Sequence, residues 1–241
     1  MNKFFTIAMV ALLVVFTLGI ALADPNGAGT VTPEASSRAT ADSAQSNDAI
    51  AGNVTELTII GNSVTQSWQG YFGNVSGSIM LEDSSGRTMY NWSLASPQGE
   101  VFASTSGSVT WTGIQCFNWT ANGTSLETSY NVNDSIDGVN ETFEAYGSNA
   151  HADFVVGSTA FNSTTACMSA DIYDSTGASV DGTFEEVLLA DAAGNPIFAA
   201  LLENDVSGFD SATHDFEMLV LEDGHGGDTS TTEYFFYVEL E

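Results

Sequence analysis

The sequence predicts an all-β protein, and three observations point to this fold class. Short runs of β-branched and aromatic residues recur along the chain, separated by Gly, Asn, Asp or Ser. Several of the separators share one turn pattern, and no long segment carries the apolar period of an amphipathic helix. Two antiparallel sheets packed face to face, Ig-like or jelly-roll-like, are the expected closure for this many strands.

The chain opens with the pattern of a secretory leader. Residues 1–23 contain Lys3, a long apolar run and the sequence Ala21-Leu-Ala23, which is the A-x-A pattern of a signal-peptide cleavage site. We expect a secreted protein, located in the extracellular space or at the cell surface. An uncleaved leader that anchors the chain is the alternative, because its apolar run is about long enough to span a bilayer.

A low-complexity segment precedes the predicted β domain. Residues 24–50 are rich in Ala, Ser, Thr, Asp and Asn without a regular period, which predicts a flexible segment. A donor-strand region is expected to extend this segment to residue 60, and the β-sandwich domain to cover residues 54–241. The predicted strands are residues 54–60, 75–82, 89–94, 101–104, 109–114, 152–156, 168–173, 184–190, 197–202, 216–221 and 234–240, with one short helix over 125–136.

The turn pattern is apolar-x-Asp-x-x-Gly-x-x-apolar. It occurs at residues 81–89, 172–180 and 189–197, and a longer version begins at Leu221. The Asp side chain accepts a hydrogen bond from the backbone two residues on, and the Gly takes the positive φ that closes the turn. The repeats therefore predict antiparallel hairpins in a meander or Greek key.

The charge balance excludes several classes of function. After residue 23 the chain has 31 acidic residues and two cations, Arg38 and Arg87. Binding to nucleic acid needs Lys and Arg to replace phosphate counterions, and attraction to anionic lipid needs the same residues. We therefore expect no nucleic-acid partner, and no membrane partner once the leader is removed. Divalent cations and basic partners remain open.

Glycosylation sequons are dense in the middle of the chain. Eight Asn-x-Ser/Thr sites occur, about twice the number that the Ser, Thr and Asn content gives by chance. If they are used, this region has many exposed loops and carries covalent glycans. The acceptors are Asn53, Asn74, Asn91, Asn118, Asn122, Asn133, Asn140 and Asn162.

Cys116 and Cys167 are expected to form a disulfide, because two cysteines in an exported protein usually pair. Closing a loop of this size stabilises the fold by about 4 kcal/mol in the chain-entropy model. A reactive thiol is the less favoured alternative, since neither cysteine has a neighbouring His or cation in the sequence.

The sequence contains no motif for a cofactor, although structural calcium is possible in its Asp-rich loops. Asp223 and Asp228 lie in the most ligand-rich of these loops, around His225. Carboxylate oxygens suit a hard cation, but plain hairpin turns explain the same residues. A second candidate group is Asp171, Asp174 and Asp181.

Aromatic residues are concentrated in the first half of the chain. The four tryptophans are Trp68, Trp92, Trp111 and Trp119. At strand spacing such residues usually belong to the core or to cross-strand pairs. The alternative is an exposed platform that stacks on sugars.

One stretch suggests a family resemblance. Residues 66–77, QSWQGYFGNVSG, and the later residues 90–93, YNWS, resemble segments of secreted β-rich archaeal surface proteins of undefined function. The resemblance implies export and a surface setting, and it provides no catalytic residues.

These observations favour a secreted, glycosylated structural protein without enzymatic activity. The expected role is that of a subunit of an extracellular filament, such as a pilus, or of a surface layer. Self-association into a homopolymer would proceed by β-strand addition, with the amino-terminal segment as donor. The alternative is an adhesin-like module that binds glycans or proteins, and a secreted hydrolase with an acidic pair ranks last.

Overall fold

A seven-stranded antiparallel sheet forms the centre of the protein. The computed structural model describes residues 24–132, 136–143, 151–162, 167–223 and 231–241, so the predicted leader lies outside the described residues. The strands are β1 (Asn26–Gly27), β2 (Trp68–Gly73), β3 (Ser78–Glu82), β4 (Thr88–Ser93), β5 (Gly99–Ser104), β6 (Gln115–Cys116), β7 (Phe154–Val156), β8 (Thr159–Phe161), β9 (Met168–Asp171), β10 (Glu185–Ala190), β11 (Pro196–Leu201), β12 (Val206–Ser207), β13 (Thr213–His214), β14 (Phe216–Leu221) and β15 (Phe235–Leu240). The helices are α1 (Trp119–Ser129) and α2 (Val139–Thr142).

The central sheet has the strand order β1-β15-β5-β11-β10, and both β6 and β9 pair with the outer edge of β10. Smaller two-stranded sheets are formed by β2 with β14, β3 with β4, β7 with β8 and β12 with β13. The mostly β content and the packing of antiparallel sheets confirm the predicted all-β sandwich.

The central sheet is buried on both faces. On one face, Leu188 and Phe198 pack against the β2–β14 ribbon and the two helices. On the other face, Val187 and Ile197 pack against the β7–β8 hairpin and the loop that carries Trp111. Alternate residues of a strand point to opposite faces, so β10 can bury six consecutive side chains. Each large apolar side chain buried this way contributes about 1.5–3 kcal/mol.

The repeated turn pattern folds as the sequence predicts. In the first turn, Asp83 Oδ1 accepts hydrogen bonds from the N–H groups of Ser85 and Arg87 at 2.9 Å, and Gly86 has φ 75°. The turns at Asp174 and Asp191 repeat this arrangement, with accepted bonds of 2.8–3.0 Å. The longer fourth version extends into residues outside those described.

Two predicted strands are wrong. Residues 54–60 belong to no strand, because no described segment of the chain pairs with them and their apolar side chains are exposed. Residues 109–114 form a turn, in which the N–H of Ile114 donates to the carbonyl of Trp111 at 3.2 Å. Trp111 and Ile114 are buried there without strand pairing.

The predicted helix over 125–136 is displaced from the observed α1. Asn118 is the N-cap, and its Oδ1 accepts a hydrogen bond from the N–H of Ala121 at 3.1 Å. This cap starts the helix well before the predicted start, and the chain leaves it at Asn131, where φ is 52°. Neither helix among the described residues has the length and apolarity needed to cross a membrane.

Candidate assembly surface

The hairpin formed by β3 and β4 stands apart from the central sheet. Its two strands pair only with each other among the described residues, and β4 is exposed along its whole length. The register sets Ile79 opposite Trp92, whose ring centroid lies 4.8 Å from that of Tyr90. One side of the hairpin, which we call the aromatic face, consists of Ile79, Leu81, Tyr90 and Trp92.

The aromatic face is open to solvent. Tyr90 is 58% exposed and Trp92 is 50% exposed. Trp92 differs in this from two other tryptophans. Trp111 is buried, and Trp68 packs on Phe143 with ring centroids 5.8 Å apart. The sequence-based expectation that the aromatics form a core therefore holds for some of them, and the aromatic face is the exception.

A second exposed apolar element lies in the amino-terminal segment. Asn26–Gly27 pairs with β15, but residues 28–66 contribute to no strand or helix. Within residues 54–60, which we call the donor segment, Val54, Ile59 and Ile60 are each at least 85% exposed. β-Branched residues favour strands, and contiguous exposed apolar residues are typical of interaction sites.

Both exposed elements lie in the part of the chain with the fewest charges. Residues 49–99, here the charge-depleted region, contain three acidic residues, Glu56, Glu82 and Asp83, and one cation, Arg87. Residues 100–241 contain 24 acidic residues and no Lys or Arg. Contact between two copies through the second part sets like charges together, which is unfavourable. The charge-depleted region therefore offers the surface with the least repulsion.

A buried acidic pair lies at the far end of the central sheet. Glu100 of β5 is directly opposite Glu239 of β15, and Glu100 is only 3% exposed. Glu239 accepts hydrogen bonds from the N–H of Gly157 on both carboxylate oxygens, at 3.0 Å each. Burial, and then the charges of Glu239 and Glu241, raise the pKa of Glu100 to about 9. Burial is also the main reason that the pKa of Glu239 rises to about 7.

Buried carboxylates elsewhere also bind backbone N–H groups. Glu186, fully buried, accepts from Leu219 on β14 at 2.8 Å. Asp215 accepts from Val75 at 2.7 Å. In a chain with so few cations, backbone amides serve as the partners of buried acids. The sequence reasoning missed these residues, although acids inside otherwise apolar strands, such as Glu185-Glu186 before Val187, were the available signal.

Cys116 and Cys167 form the expected disulfide, with Cα atoms 5.0 Å apart. Cys116 lies in β6 and Cys167 directly precedes β9. Since both strands pair with the same edge of β10, the disulfide joins two short strands that share one partner.

The predicted glycosylation sites occupy varied positions. Asn118 caps α1, Asn122 lies within it, and Asn91 lies on β4. Asn122 and Asn162 are half-buried, and Asn133 lies outside the described residues. The exposed acceptors are Asn53, Asn74, Asn91, Asn118 and Asn140.

The structure brings no calcium ligands together in the part of the chain that it describes. No group of three or more His, Cys, Asp or Glu side chains there has the geometry to hold a metal ion. Asp223 follows β14, while Asp228 lies outside the described residues. Asp174 instead closes its own turn by accepting from the N–H of Thr176 at 2.8 Å.

Comparisons with known proteins return no relative. No family model, no curated protein and no solved structure matches this chain.

Proposed function

We propose that this chain is a secreted, glycosylated structural protein, a subunit of an extracellular filament or surface layer that assembles by β-strand addition. The observation that carries the proposal is the donor segment, a run of exposed β-branched residues without a partner strand in the described chain. In strand addition, main-chain hydrogen bonds provide affinity and alternate side chains fill pockets on the acceptor.

Charge supports assembly through the amino-terminal part. A net charge of −28 keeps copies apart in solution unless they meet where acids are sparse. The charge-depleted region contains both the donor segment and the exposed hairpin. Attraction there is apolar, so we expect assembly to strengthen as salt screens the remaining acids.

Export and glycosylation fit the same role. The disulfide is stable in an oxidising compartment. Five sequon asparagines among the described residues are exposed. Glycans at these positions would cover the surface around them and leave the apolar contacts to decide which surfaces join.

Electron microscopy of the purified secreted protein tests the proposal, together with a variant that lacks residues 54–60. The full chain should form filaments or a lattice, and the deletion should leave monodisperse particles. A variant lacking residues 40–46, a polar stretch of equal length, is the matched control and should still polymerise. Monodisperse full-length protein, or normal polymers from the 54–60 deletion, would contradict the proposal.

A glycan-binding or protein-binding module is the second candidate function, favoured by the exposed rings of Tyr90 and Trp92. Aromatic rings stack on sugar faces, and the two centroids are 4.8 Å apart with the planes inclined by 59°. This alternative predicts a monodisperse protein whose tryptophan fluorescence changes on titration with a glycan library. Loss of that change in Trp92→Ala, with Trp119→Ala as control, would locate the site.

A further inference from the structure

The β3–β4 hairpin lacks a third strand. A two-stranded ribbon is marginally stable in water, and three strands with one apolar face are the usual minimum for independent stability. Here the ribbon pairs with no other described strand, and its aromatic face contacts solvent. Both edges of the hairpin are therefore free among the described residues, and an uncovered apolar surface lies beside them.

The donor segment has the pattern that such a third strand needs. Leu57 and Ile59 are two residues apart, so in an extended strand they share one face. Glu56, the only acid of the segment, then faces the other side together with Val54 and Ile60. Placed along an edge of the hairpin, the segment extends the aromatic face by one row of aliphatic side chains and adds no charge to it.

We propose that the donor segment of one copy adds to the β3–β4 hairpin of a second copy. This inference rests on the proposed function and names its acceptor. Each chain has one donor and one acceptor at different positions, so the contact is head-to-tail, and such a contact propagates into an open polymer. The occupant is another copy because the complementary strand belongs to this chain, and because both elements lie in the charge-depleted region.

The sequon on β4 is compatible with this contact. Asn91 pairs with Met80, and strand alternation puts both on the side opposite to the aromatic face. A glycan on Asn91 therefore covers the other side of the hairpin. Met80 consequently serves as a control position for substitutions on the aromatic face.

A mixing experiment tests the acceptor. Ile59→Asp removes donor function and Tyr90→Asp removes acceptor function, while Met80→Asp changes the opposite side. We expect Ile59→Asp alone and Tyr90→Asp alone to stay monomeric, and Met80→Asp to polymerise. Light scattering measures the particle mass of each variant. An equimolar mixture of the two inactive variants should give dimers, because one intact donor and one intact acceptor remain.

The outcomes separate this inference from the proposed function. If Ile59→Asp blocks assembly but Tyr90→Asp polymerises normally, the acceptor assignment is wrong and the filament proposal stands. If the full-length chain is monomeric, the filament proposal itself fails. Matching unfolding midpoints for Tyr90→Asp and the parent chain, expected for an exposed residue, show that the variant is folded.

A second inference comes from the buried acidic pair and from Asp24, which follows the predicted cleavage site. Asp24 lies against the turn between β7 and β8: a Cβ added to Gly157 would be 2.6 Å from Asp24 Oδ1 and 3.7 Å from its Cα. The N–H of Gly157 binds the carboxylate of Glu239. Pro25 is buried and Asn26 pairs with Val238, so residue 24 is held beside β15.

Glu100 and Glu239 have no cationic partner among the described residues. Glu100 Oε2 is buried without a hydrogen-bond partner. The charged groups that act on the pair are all acidic: Glu239 and Glu241 act on Glu100, while Glu241 and Asp24 act on Glu239. A positive charge here would have several carboxylates to bind.

We propose that leader cleavage after Ala23 supplies this charge. Water hydrolyses the peptide bond, so that Ala23 leaves with a new carboxylate and Asp24 gains a new α-ammonium group one bond from its Cα. The processed chain then has a cation near Glu239, in addition to Arg38 and Arg87. Processing thus stabilises the end of the central sheet. The inference depends on cleavage at this site and not on assembly.

The pH dependence has a definite sign. An α-amino group has an ordinary pKa of about 7.7–8.0, and carboxylate neighbours raise it in the folded state. The stabilisation is therefore lost as the pH rises through the raised value of the amine, and it is also lost at low pH, where Glu239 becomes protonated. The ammonium in turn favours ionised Glu239 and lowers its pKa relative to the unprocessed chain.

Acetylation tests this inference with unusual selectivity, because the chain has no Lys after Lys3. In protein beginning at Asp24, an amine-reactive acetyl ester modifies only the α-amino group. We expect acetylation to lower the urea midpoint at pH 6, to have little effect at pH 10, and to have a smaller effect in Glu239→Gln. An unchanged midpoint at pH 6, or an equal shift in Glu239→Gln, would overturn the inference.

Discussion

The central sheet and the charge-depleted region use the same residue types in opposite ways. In β10 and β11 apolar side chains are buried on both faces, and acids such as Glu186 are buried with them against backbone N–H groups. In residues 49–99 apolar side chains are exposed and acids are sparse. In the proposed function, the exposed apolar residues serve an intermolecular contact, and the acids elsewhere keep the copies apart in solution.

Substitution of a large core residue should give the largest effect. Phe198 is fully buried and its ring lies 6.1 Å from those of Phe143 and Tyr234. Phe198→Ala should lose about 3–5 kcal/mol of unfolding free energy, whereas Trp92→Ala should change it by less than about 0.5 kcal/mol. Urea denaturation followed by circular dichroism measures both. Similar losses would show that the hairpin belongs to the core.

Removal of the disulfide should have nearly as large an effect on the central sheet. Replacing Cys116 and Cys167 together by Ser should lower the unfolding free energy by about 4 kcal/mol, since the bridge closes a long loop. The pairing of both β6 and β9 with β10 should be weakened. Hydrogen exchange of β9 amides measures this loosening, and unchanged protection would contradict the role assigned to the bridge.

A buried acid of the central sheet should make the stability of the fold depend on pH. Burial raises the pKa of Glu186 well above its ordinary value, and the hydrogen bond from Leu219 only partly offsets this. A raised carboxyl pKa stabilises the fold below the ordinary pKa of the group and loses that contribution as pH rises through the folded value. Glu186→Gln should therefore have the same urea midpoint as the parent chain near pH 5 and a higher urea midpoint at pH 9. A parallel pH profile for the two proteins would count against this account.

The smallest effects should come from the turn of the hairpin. Arg87 and Asp83 form an exposed ion pair at 3.8 Å, so Arg87→Ala should change stability by less than about 0.5 kcal/mol. Asp83→Ala removes the acceptor of two backbone N–H groups and should loosen the hairpin more. Amide exchange in β3 and β4 compares the two variants. An equal effect would mean that the ion pair, and not the Asp turn, holds the hairpin closed.

Predictions from the sequence are correct where the structure depends on residues that are close together in the chain. The Asp-x-x-Gly turns and most strands are found as expected, because turn geometry and apolar alternation depend on neighbouring residues. The same local pattern predicts a strand for the donor segment, but a strand needs a partner, and no described part of the chain pairs with residues 54–60. The pairing of Glu100 with Glu239 was also beyond sequence reasoning, because it depends on the non-local pairing of β5 with β15.

Cross-linking between copies tests the central claim most directly. Ile59→Cys and Ile79→Cys proteins are prepared separately, mixed and oxidised, with the native disulfide left intact. The strand-addition account predicts a covalent heterodimer in this mixture and little with Met80→Cys in place of Ile79→Cys. Equal cross-linking of both acceptor positions, or none in polymers of the mixed proteins, would contradict it.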